Sequence, residues 1–159
     1  MTLSLAVLAL IGWVVMIILA VVPKNLTIND MVFLYFVIGI LTVTVFTLLD
    51  INLEWVPVTR DVEKSLALYI CRIIIIPLLI LMSSMVLLSR LKWIWKGVLW
   101  VVILLALSLS DWVYLHFELI RYANWSEIKS ALMYFIFMVV IGGIARWFSG
   151  LDRGGFQKS

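Results

Sequence analysis

Histidine and cysteine occur once each in these 159 residues, at His116 and Cys71, and proline occurs three times. A lone thiol closes no internal disulfide and supplies no multi-thiolate metal site, and a lone imidazole cannot hold a bis-histidine haem. No metal and no cofactor is therefore expected. Catalytic punctuation is also missing: there is no Gly-rich phosphate loop, His-Glu-x-x-His, Gly-x-Ser-x-Gly or Cys-x-x-Cys. Those absences remove the commonest nucleotide, zinc-protease and hydrolase signatures. Charge is scarce, at 13% of residues against about 25% in soluble domains. The formal net charge of +3 forms no soluble basic patch, so nucleic acid is not an expected partner.

Apolar residues fill the space that charge vacates. They make up 65% of the chain, and the mean hydropathy is +1.20. A span needs roughly 20 apolar residues to cross about 30 Å of hydrocarbon as a helix. Five runs meet that length: 3–22, 31–49, 66–88, 97–117 and 131–148. Continuous runs without alternation predict helices, because in lipid each segment must satisfy its own backbone hydrogen bonds. The expected fold class is all-α: an integral membrane bundle of five transmembrane helices in one domain, 1–148, with a short cytoplasmic tail, 149–159. The first run lacks the basic flank of a secretory signal and exceeds its usual length, so it reads as a retained span. Asp30 is the expected cap of the second helix and Asn124 of the fifth.

Orientation follows from Lys and Arg, which are retained on the cytoplasmic side. With the N-terminus outside, Lys24, Arg90, Lys92, Lys96, Arg146, Arg153 and Lys158 fall inside. Arg60, Lys64, Arg121 and Lys129 fall outside. The loop SRLKWIWK, with Arg90, Lys92 and Lys96 and no acid, weighs most. The expected topology is N-out, C-in.

Two charges interrupt the runs well away from their ends, Arg72 and Asp111. Arg72 lies about six residues inside the outer end of its span, or roughly 9 Å at 1.5 Å per residue. Asp111 lies at the same depth on the next, antiparallel helix. Consecutive helices joined by a short loop are usually neighbours, so the spacing predicts an Arg72/Asp111 ion pair; snorkelling of Arg72 to the outer headgroups is the alternative. Residues three or four apart share a face, which adds Tyr69 on one helix and Ser108 and Glu118 on the other to a polar strip, with Tyr114 and His116 nearby. Pro77 removes a backbone N–H and is expected to kink the helix where the strip ends. Alternation in DINLEWVP, 50–57, fits an extended segment that lines an outer vestibule with Asp50 and Glu54; an interfacial loop on its way to the third span is the favoured alternative.

The order of an apolar span, VPKNLTINDMVFLYF, DINLEWV and a helix array flanked by aromatic and basic residues resembles small uncharacterised multi-pass membrane proteins of spore-forming Gram-positive bacteria. That resemblance implies a bacterial cell membrane and no particular activity. Short loops and missing catalytic signatures favour a non-enzymatic accessory or scaffold subunit, partnered by the bilayer and by other membrane subunits or a second copy. The alternative is a small oligomeric transporter or ion-conducting protein using Arg72, Asp111 and His116. An enzyme built on Asp50, Glu54, His116 and Glu118 at the outer face ranks third.

Overall fold

A computed structural model of the chain describes residues 3–21, 26–58 and 61–155. Its elements are α1 (Leu3–Val21), α2 (Ile28–Thr47) running into a π-helical turn (Leu48–Asn52), α3 (Val62–Ile70), a second π-helical turn (Cys71–Ile75), α4 (Ile76–Leu88), α5 (Trp93–His116) and α6 (Glu127–Gly155). Four stretches are long and apolar enough to cross a membrane: Ile28–Asn52, Lys64–Leu88, Trp93–His116 and Glu127–Gly150. This is the build of a multi-pass membrane protein. α1 is a further apolar helix of 19 residues.

The rod made by α3, its π turn and α4 is the centre of the bundle. It packs against α1, α2, α5 and α6, and 78% of its apolar stretch is buried, against 22–39% in the other three long helices. A helix apolar on every side belongs in an interior, while one with a single buried stripe belongs at the periphery. α4 carries only Ser83 and Ser84 as polar side chains, and both hydroxyls turn back onto the Ile80 carbonyl. α2, by contrast, buries a stripe of Leu34, Ile38, Thr42 and Phe46 at four-residue spacing. α6 bridges α2 and α5. It approaches closely at Gly142, where a Cβ would stand 2.9 Å from the Leu87 side chain.

The caps differ from expectation by a few residues. Thr27, not Asp30, caps α2: its hydroxyl accepts the Asp30 N–H at 3.2 Å. Asp30 reciprocates by accepting the Thr27 N–H at 3.3 Å, which completes a capping box. At α6, Ser126 accepts the Lys129 N–H at 3.4 Å, while Asn124 contributes its carbonyl to the Lys129 ammonium at 3.0 Å. The segment expected as a tail from residue 149 continues α6 through Gly155. Residues 22–25, with Lys24, lie outside the described residues, as do Arg60 and Lys158.

One end of the bundle is covered by two loops. The extended reading of 50–57 fails, because the π turn claims Leu48–Asn52 and Glu54 adopts a left-handed φ of 51°. The chain then pairs briefly with the loop after α5: Val58 bridges Ile120, the Arg121 N–H donates to the Pro57 carbonyl at 3.1 Å, and the Ala123 N–H donates to the Trp55 carbonyl at 3.0 Å. The Trp55 and Trp125 rings lie 5.8 Å apart, and the Lys129 ammonium sits 5.8 and 6.0 Å from them.

Pro77 acts through its neighbours. Lacking an N–H, it leaves the Ile73 carbonyl four residues earlier without its helical donor. The Tyr35 hydroxyl of α2 supplies one at 2.8 Å, and the π turn ends just before the proline. Tyr35→Phe is therefore expected to cost about 1 kcal/mol. In a Pro77→Ala background, where the helix supplies its own donor, the same change is expected to cost close to nothing. Equal losses in both backgrounds, measured by denaturant titration in lipid micelles, would refute this account of the proline.

Candidate functional site

Asp111 is 3% exposed on α5. Its carboxylate is the focus of three hydroxyls. Tyr134 donates to Oδ1 at 2.7 Å, and Tyr122 donates to Oδ2 at 3.1 Å. Ser130 donates to Oδ2 as well, at very close range. Ser130 and Tyr134 stand one helical turn apart on α6, so both reach α5 from the same face. Tyr122 arrives from the covering loop. Burial, and then the Asp111 charge, push the Tyr122 phenol above its ordinary value, so it stays protonated and donating through the physiological range.

The ion pair expected from matched depths does not form. Arg72 and Asp111 are not within ion-pair distance, and Arg72 reaches the carboxylate only as a more distant charge. Arg72 sits in the π turn between α3 and α4, 9% exposed. Its guanidinium lies over the Phe46 ring of α2, 4.6 Å from the centroid. Nε and Nη2, the two nitrogens of one edge of the fork, have no hydrogen-bond partner. The carboxylate bearing most strongly on it is Asp50, at the end of α2.

Arg72 lines a cleft of about 820 Å³ together with Asp50, Glu54, Ser65, Tyr69 and Ala123. Asp50 is held there by its Oδ1, which accepts the Val58 N–H at 2.8 Å. The cleft is therefore a mixed polar and apolar chamber under the covering loops, lined among the described residues by the buried Arg72 cation and the Asp50 and Glu54 carboxylates.

The other expected site residues scatter. Tyr69 lies on the cleft wall, 58% exposed. Ser108 is half-buried on α5. Tyr114 is buried with its hydroxyl unpartnered, beside the Cys71 thiol. His116 is exposed and stacks on Trp112, with ring centroids 5.5 Å apart. Glu118 ends α5 at a φ of 53° and pairs with Lys64 at 3.6 Å, in the open. Arg90 and Lys92 are exposed in their loop, whereas Lys96 folds back, its ammonium donating to the Leu87 carbonyl at 2.8 Å. That bond satisfies a terminal carbonyl of α4.

Sequence reasoning missed Tyr122, Ser130, Tyr134 and Phe46. The serine and tyrosine at four-residue spacing near the start of the last span were the available signal, as a polar stripe aimed at an intramembrane acid. Among the described residues no group of three or more His, Cys, Asp or Glu side chains is placed to hold a metal ion. No family model, curated protein or solved structure matches the chain.

Proposed function

We propose that this is a five-span protein of a bacterial cell membrane, N-out and C-in, acting as a non-enzymatic accessory subunit of a membrane complex. The observation that carries it is the uneven interior: the polar cluster at the covered end is not continued through the bundle. Among the described residues, Asp30 is spent on its capping box and Thr42 stands alone on α2. Arg72, Asp111, Tyr114, Ser130 and Tyr134 gather toward the covered end. Past Pro77 the buried apolar positions include Ile80, Leu81, Met85, Leu107, Met138, Ile141 and Ala145. The only other buried polar side chains of that half of the rod, Ser83 and Ser84, are spent on their own helix. A chamber that ends in such a plug binds; it offers ions no continuous polar path, which weighs against the conducting alternative. Against an enzyme at the same face, His116 and Glu118 stand apart from the cleft that holds Asp50 and Glu54.

Purification from native membranes is expected to recover the chain with partner subunits in fixed ratio, and reconstitution alone to give no ion flux. A lone protein that moves ions in liposomes would overturn the reading. Orientation is checked in a Cys71→Ser background, where Ala123→Cys is expected to react with an impermeant maleimide in intact cells and Lys92→Cys only after lysis. The reverse pattern inverts the topology.

A further inference from the structure

We propose that the Arg72 cleft is a binding site for a zwitterion that carries an oxyanion and a primary ammonium a few ångströms apart, as an aminophospholipid headgroup or a free phosphoamine does. Three observations converge on it. Arg72 is buried to 9% exposure and is a wall of the chamber. Nε and Nη2 lack acceptors and are closed to water, so this edge of the guanidinium, the one that engages a carboxylate or phosphate through two parallel N–H groups, meets a ligand in the chamber only when the side chain turns toward it. Most buried polar groups are hydrogen-bonded. Of the orphans among the described residues, on Thr42, Tyr114 and Arg72, only the Arg72 edge is charged and belongs to a residue of the cleft wall, which marks it as a place for an acceptor that the chain itself does not provide. Asp111, the expected acceptor, is already taken by Tyr122, Ser130 and Tyr134.

The walls select the rest of the ligand. Asp50 and Glu54 line the same chamber. Asp50 acts on Arg72 most strongly among the carboxylates yet is not within ion-pair distance, so the two charges remain separate. Among the described residues, its Oδ1 accepts the Val58 N–H and its Oδ2 has no hydrogen-bond partner. A ligand with a net negative charge meets these two acids unfavourably, whereas a ligand that brings its own ammonium satisfies them. Exposed Ile51 and Tyr69 at the rim suit the glycerol and upper acyl region of a lipid.

The site is tested on the full chain in phosphatidylcholine nanodiscs, with dihexanoyl phosphatidylethanolamine as the probe and dihexanoyl phosphatidylglycerol as the anionic control, by calorimetry or native mass spectrometry. Saturable binding of the ethanolamine lipid is expected, about tenfold or more tighter than the glycerol lipid. Arg72→Met is expected to weaken it about tenfold or more, and Glu54→Gln, on the exposed rim, to narrow the preference severalfold. Phosphoethanolamine competing at similar concentration would assign the soluble form of the ligand, and failure to compete while the lipid binds would assign the lipid form. Equal or tighter binding of phosphatidylglycerol, no binding of either probe, or unchanged affinity in Arg72→Met overturns the proposal. Co-purification bears on the accessory-subunit reading and leaves this measurement untouched, so the two fail separately.

Discussion

Asp111→Ala is expected to lower the unfolding free energy by about 3–4 kcal/mol, the largest loss from any single polar change in the bundle. The reason is what remains afterwards. Ser130 and Tyr134 are buried at 3% and 0% exposure and would point their hydroxyls at a void. A buried donor without an acceptor costs about 1–3 kcal/mol, and in hydrocarbon no water replaces the lost partner. Tyr122 is half-buried, so its loss is smaller. Asp111→Asn keeps one acceptor oxygen but turns an amide toward a hydroxyl, and is expected to cost about half as much. Reversible unfolding in mixed lipid and detergent micelles measures both. A loss below about 1 kcal/mol for the alanine variant would mean that the three hydroxyls do not depend on this carboxylate.

Arg72→Met has the opposite expected sign, raising stability by about 1 kcal/mol. Retaining Arg at depth costs roughly 2.5–3.5 kcal/mol on insertion scales. The stacking on Phe46 returns about 0.5–2 kcal/mol of that, and no acceptor within hydrogen-bond reach loses a bond from Nε or Nη2. Methionine keeps much of the stem's packing. Replacing a buried charge by an apolar side chain of similar shape is often neutral or stabilising, provided nothing is left unpaired. Destabilisation by more than about 1 kcal/mol would make the guanidinium structural glue and remove the argument that it is kept for a ligand. Because Arg72 and Asp111 do not touch, the double variant Arg72→Met with Asp111→Ala is expected to equal the sum of the singles within about 0.5 kcal/mol. The pair of results separates a carboxylate that holds the fold from a cation that the fold tolerates. Stability given up at one residue is the usual mark of a site under functional demand.

How far the chain could be read without coordinates differs between its parts. The run 66–88 was legible as a span, but its place at the centre of the bundle, with 78% of its apolar stretch buried, came only from the tertiary structure. The four long spans are equally plain, because length and hydropathy alone determine what crosses about 30 Å. The covering loops were less legible. Alternation in 50–57 looked extended, yet a π turn and a left-handed Glu54 bend it into the lid over the cleft. Nothing local demanded that; the pairing with 120–123 decides it.

The charges are the clearest case. Residue number along a helix converts to position along its axis at 1.5 Å per residue, so the sequence by itself determined that Arg72 and Asp111 each lie about six residues inside one end of an apolar run, the ends that antiparallel neighbours bring to the same side. Axial position is only one cylindrical coordinate. Which way each side chain points, and which helix stands there, depends on how five cylinders pack. A π turn at Cys71–Ile75 re-aims the residues on the central rod. Tertiary structure alone turned Asp111 toward the hydroxyls of α6 and Arg72 toward Phe46 and the Asp50 cleft, leaving an acid that is fully satisfied and a cation that is not.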